Sequence, residues 1–95
     1  MDLAALHEIA DGRSSSWEAA GVRWGVTDGP LTDKPAAWLT LSRHQAEGQL
    51  IVWVSGEAEM VWGNPEPVVF RHYDLDTRES LGACVTNLEE ALGLD

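Results

Sequence analysis

What most constrains this chain is the shortness of the connections between its extended segments. Val22–Thr27, Ala36–Ser42, Gln49–Ser55, Glu57–Trp62 and Val68–Leu75 follow one another with only turns or short loops between them. Parallel neighbours need a crossover of about a dozen residues or more, and no gap here supplies one. Asp28–Gly29–Pro30 and the loop Leu31–Pro35 close the first gap, His44–Gly48 the second, Gly56 the third and Gly63–Pro67 the fourth. The segments can therefore pair only as an antiparallel meander of about five strands. Gln49–Ser55 is the strongest of them, rich in β-branched residues and apolar on both faces.

Helical periodicity flanks the meander. Leu3, Leu6, Ala10, Trp17 and Ala20 recur at helical spacing behind Asp2 as N-cap, and Gly21 stands where a helix C′ residue belongs. Gly12 and Ser14–Ser16 weaken the middle and leave room for a break. After the strands, Asp76–Thr77–Arg78–Glu79 has capping-box spacing, and Leu81, Cys84, Val85, Leu88 and Leu92 form a stripe closed by Gly93. Thr86–Asn87–Leu88–Glu89 repeats that spacing and allows a later start. The expectation is an α+β fold in two layers: an N-terminal helix, the meander and a C-terminal helix, with both helices on one face of the sheet. With 95 residues the chain reads as a single domain, 1–95.

Charge narrows the function classes. Sixteen acids face six lysines and arginines, a net charge of −10. Residues 1–47 hold seven acids and four basic residues, whereas residues 48–95 hold nine and two, so the excess sits in the second half. Such a chain repels phosphates and anionic lipid heads, so the expected partners include no nucleic acid and no membrane. The excess favours a basic protein, or simply keeps a small domain soluble. The start MDLAALHEIAD lacks a basic region ahead of its apolar residues and does not read as a signal peptide, which makes a cytoplasmic location the expectation.

No catalytic constellation emerges. His7, His44 and His72 are scattered, and Cys84, alone of its kind, falls on an apolar stripe as a buried inert thiol. His72 and Asp74 share one strand face, an arrangement commoner at surfaces than at sites. There is no nucleophile elbow and no phosphate loop. Neither an enzyme nor a cofactor is expected.

The tryptophans say more. Trp17 and Trp24 read as core. If Leu39, Leu41, Leu50, Val52 and Val54 face the helices, alternation sends Trp38, Ile51 and Trp53 to the uncovered side. Continuing the meander places Glu57 and Glu59, then Arg71 and Tyr73, on that side as well. Trp38, Trp53 and Tyr73 become aromatic anchors of a partner-binding patch, with Glu57, Glu59 and Asp74 as its charged rim. Burial of the rings under the 28–35 loop is the competing expectation.

The stretch Gly48–Gln49–Leu50–Ile51–Val52–Trp53–Val54–Ser55–Gly56–Glu57 resembles the TriTu-type immunity proteins of bacterial polymorphic toxin systems. The N-terminal helix ending at Gly21, the Pro35–Leu41 segment and the final Leu88–Glu89–Glu90–Ala91–Leu92 agree in order. The resemblance implies a cytoplasmic protein that binds a cognate toxin domain, a basic one on the charge argument, and neutralises it without catalysis. A monomer or weak homodimer is expected. A homo-oligomeric structural module, or less readily a small-ligand-binding domain, are the other readings.

Overall fold

The computed structural model describes residues 1–30, 33–63 and 69–93. Helix α1 (Ala4–Ala19) leads into strands β1 (Arg23–Asp28), β2 (Ala36–Arg43), β3 (Ala46–Trp53), β4 (Glu57–Gly63) and β5 (Val69–Asp74), and helix α2 (Arg78–Ala91) closes the chain. The strands form one open antiparallel sheet in the order β1-β2-β3-β4-β5, the expected meander. Among the described residues no helix is long and apolar enough to cross a membrane.

Both helices are continuous. The Asp2 carboxylate accepts from the Ala4 N–H at 2.9 Å, so Asp2 serves the first turn although Leu3 is the residue at the cap. At the other end Gly21 takes φ +77°, its N–H donates to the Glu18 carbonyl, and the Val22 N–H donates to that of Trp17. This 5→2 and 6→1 pair is a Schellman closure with buried Val22 as its apolar contact. The α2 capping box lies one residue later than Asp76–Glu79. Thr77 Oγ1 accepts from the Ser80 N–H at 3.0 Å, and Ser80 Oγ accepts from that of Thr77 at 3.1 Å. The second box does not form, because Thr86 and Glu89 are used by the other helix. Arg13 of α1 donates to Thr86 Oγ1, Glu89 Oε1 and the Gly82 carbonyl, while Trp17 Nε1 donates to Glu89 Oε2 at 2.7 Å.

The core is one layer between helices and sheet. Ala37, Leu39 and Leu41 of β2, Ala46, Leu50 and Val52 of β3, and Ala58 and Met60 of β4 are buried against Leu6, Ala10 and Trp17 of α1 and Leu81, Val85 and Leu88 of α2. The strand pairing puts these buried residues on one face of the sheet, so both helices lie on that same face. Trp24 stacks obliquely on Trp17, ring centroids 5.8 Å apart.

Two boundaries differ from the sequence expectation. The β2–β3 turn is only His44 and Gln45, with His44 at φ +56°, and Ala46–Gly48 are already paired with Leu41–Arg43. Gly48 does not break the strand; it makes room, since a Cβ there would stand 2.6 Å from Leu88 Cδ1. At the other end β3 stops at Trp53, and the chain reverses through Gly56 at φ +95°. The Gly56 carbonyl accepts from the Leu75 N–H at 2.7 Å, tying this turn to the β5–α2 junction. Of the expected loop Gly63–Pro67, Gly63 closes β4 opposite Glu47, and the rest lies outside the described residues.

Candidate interaction surface

The helix-free face of the sheet can be read row by row from the pairing. Across the middle, Thr27, Trp38, Ile51, Glu59 and His72 stand side by side on successive strands. The row above holds Gly25, Thr40, Gln49, Val61 and Phe70, and the next Arg23, Ser42, Glu47 and Gly63. Below lie Ala36 and Trp53, then the directly opposed pair Glu57 and Asp74. Trp38, Ile51, Trp53 and Val61 are half-buried and Phe70 is 73% exposed, giving an aromatic and aliphatic strip across the sheet. Glu47, Glu57 and Asp74 are exposed around it, and Glu59 is exposed within it, beside Ile51.

Trp38, Trp53, Glu57, Glu59 and Asp74 thus share the open face, as alternation requires. Tyr73 does not. It pairs with buried Ala58, and Arg71 pairs with buried Met60, so both point to the helix side. The Tyr73 ring packs against the core, and its hydroxyl is buried with no partner among the described residues. Arg71 lies over the Trp62 ring at 5.5 Å on that same side. The physical reason is register: β5 enters one residue out of phase with the expectation, and a single step exchanges its two faces. The aromatic that takes the vacated role is Phe70, opposite Val61, which sequence reasoning missed. Its signal was parity with Asp74, the rim residue on the same strand.

Both indoles have close neighbours. Trp38 lies against the β1–β2 connection, where a Cβ on Gly29 would stand 3.0 Å from Cζ3 of its ring and 3.1 Å from the Ala36 carbonyl oxygen. The glycine is what lets the ring lie down there. Over Trp53 sits Lys34, its Nζ 5.6 Å from the ring centroid and 2.8 Å from Glu57 Oε2.

The electrostatics of the face are unbalanced. Glu57 and Asp74 are like charges placed directly across a strand pair, an arrangement that costs stability. Each has a counter-group: Lys34 for Glu57, and His72 Nε2 for Asp74 at 3.2 Å. All four side chains are well exposed, so these contacts are solvent-screened and weak. On the helix side, burial pushes the Cys84 thiol up to about 11, which keeps it protonated and unreactive at neutral pH. Among the described residues no group of His, Cys, Asp and Glu could hold a metal ion. What the open face offers chemically is apolar area with a negative border.

Comparison with known proteins adds no relative: no family model, no curated protein and no solved structure matches this chain.

Proposed function

We propose that this protein is a non-catalytic inhibitor of the immunity type, which neutralises a basic toxin domain by covering it with the open face of the sheet. The observation that supports this reading is the coincidence, on the face of the sheet that no helix covers, of Trp38, Ile51, Trp53 and Phe70 with the exposed carboxylates of Glu47, Glu57, Glu59 and Asp74. Aromatic side chains supply contact area at small entropic cost, and hot spots gather where such rings can be fully desolvated. The carboxylates contribute mainly to capture: complementary charge raises association from about 10⁵–10⁶ to as much as about 10⁸–10⁹ M⁻¹s⁻¹ at low salt. The likeness of Gly48–Glu57 to TriTu-type immunity proteins points the same way. So does the sequence-wide net charge of −10, because a nuclease-like partner carries a basic groove that an acidic face can fill.

The test is titration calorimetry against any basic toxin domain that the neighbouring reading frame encodes, at low and at physiological salt. Trp53→Ala should weaken binding by roughly tenfold or more, as loss of a central aromatic anchor does. Glu57→Lys should flatten the salt dependence. If folded samples of both variants bind as the parent does, the open face is not the docking surface. A second copy of the chain is the competing occupant, favoured by the exposure of Phe70, and light scattering at micromolar concentration separates the two. A stable dimer that protects Trp38 and Trp53 from a soluble quencher would replace the inhibitor reading.

A further inference from the structure

Lys34 is placed as a ligand would be. It belongs to the β1–β2 connection rather than to the strands, yet it reaches across to lie over the Trp53 ring at 5.6 Å and to pair with Glu57 at 2.8 Å. An aromatic face and a carboxylate converging on one ammonium group is the usual chemistry of cation recognition in proteins. The location adds a second argument. Glu57 stands directly opposite Asp74, so two carboxylates are held side by side at the end of the Trp53 row, and the Lys34 ammonium is the cation paired with Glu57. Like charges in register oppose sheet formation, and arranging them beside an exposed ring makes sense where a cation is to be received.

We propose that Trp53 and Glu57 form a receptor for a lysine or arginine side chain of the partner, and that Lys34 fills it in cis until that side chain displaces it. This rests on the proposed function only for the partner's identity; the receptor itself is a property of this chain. Lys34 then acts as a selectivity device. A partner must bring a cation that outcompetes an intramolecular one, and a partner offering apolar contact alone would strand Glu57 and Asp74 beside each other.

The experiment uses a hexalysine peptide as probe, with affinity measured by titration calorimetry and the site of binding reported by the indole N–H resonance of Trp53 where that residue is present. Lys34→Met removes the ammonium that fills the receptor, with a side chain only one atom shorter. Arg78→Met, on the opposite layer and paired there with Glu8, changes net charge by the same amount and serves as the control. Lys34→Met should bind hexalysine roughly three- to tenfold more tightly than Arg78→Met, the range set by one exposed ring contact and one surface ion pair. That gain should vanish in Lys34→Met/Trp53→Leu and shrink in Lys34→Met/Glu57→Gln. Equal affinity in the two single variants, or a gain that survives loss of the ring, overturns the receptor. The two readings separate cleanly. A positive probe result with no toxin binding removes only the inhibitor, whereas toxin binding that needs Trp53 but ignores Lys34 removes only the receptor.

Discussion

Replacing Gly48 by alanine tests how tightly α2 is seated on β3. A methyl at this position would stand 2.6 Å from Leu88 Cδ1, and 3.2 and 3.4 Å from the two δ-carbons of Leu92. Real Cβ contacts are essentially never that short, so the leucine must move. Leu88 is fully buried and Leu92 nearly so, and a close-packed core has little room for displacement. Overpacking of this kind costs about 1–3 kcal/mol. Against it, removing a glycine from a strand interior recovers roughly 0.5–1 kcal/mol of backbone entropy. The net expectation is a loss of about 1–2 kcal/mol, or a fall in Tm of roughly 4–16 °C for a chain this small. Urea melts should show the midpoint moving at unchanged slope. A double-mutant cycle isolates the cause: Leu88→Ala costs about 2–5 kcal/mol by itself, but within it Gly48→Ala should turn neutral or stabilising, because the obstructing carbon is gone. If Gly48→Ala is as costly without Leu88 as with it, the close approach of the two elements is not what the glycine is for.

Three further expectations follow from the same geometry. Gly56→Ala should be more damaging than Gly48→Ala, by about 2–4 kcal/mol, since the residue sits at φ +95° and its methyl would meet the Leu75 carbonyl oxygen at 2.2 Å; equal melting temperatures for the two variants would refute this. Glu89→Ala leaves the Arg13 guanidinium and the Trp17 indole N–H without their shared acceptor in a half-buried seam, and chemical denaturation should register a loss of about 1–3 kcal/mol. The Cys84 thiol, raised from 9.0 to about 11, holds its proton more firmly folded than unfolded. Its contribution is therefore complete below pH 9 and is lost as pH climbs toward 11, by at most roughly 2–3 kcal/mol, and Cys84→Ala should flatten that part of the stability profile.

How much of this was readable beforehand depends on how many neighbours a residue has. Leu39, Leu41, Leu50 and Val52 lie on central strands with helices above them, so their alternation is enforced by burial and correctly sends Trp38 and Trp53 to the far side. β5 is an edge strand. Its residues Val69, Phe70, Arg71, His72, Tyr73 and Asp74 mix apolar and polar groups on both parities, so no burial pattern in the sequence marks which parity faces the helices. Tyr73 was misplaced for that reason, and Phe70 overlooked with it. Gly48 misled in another way. A glycine beside His44 and Gly56 reads as punctuation, yet its cause lies forty residues away in Leu88. The capping box erred by one residue because Ser80 Oγ does the work expected of a carboxylate.

The open face is where these lines meet. The two helices α1 and α2 shield one side of the five strands, and among the described residues nothing of similar size covers the other. A sheet in that position can face water if its outer residues are polar. Here Thr27, Thr40 and Gln49 satisfy that rule, while Trp38, Ile51, Trp53, Val61 and Phe70 break it on the strands from β2 to β5. Of the four open-face carboxylates, Glu57, Glu59 and Asp74 lie on β4 and β5, and Glu47 lies at the far end of β3. Solubility alone would spread the acids over the whole face, and a buried dimer seam would exclude them from its rim only where copies meet acid to acid. Apolar area and negative charge on a single face suit the proposed partner, itself both basic and apolar, and the Lys34 ammonium between Trp53 and Glu57 is the kind of group the proposed receptor would take.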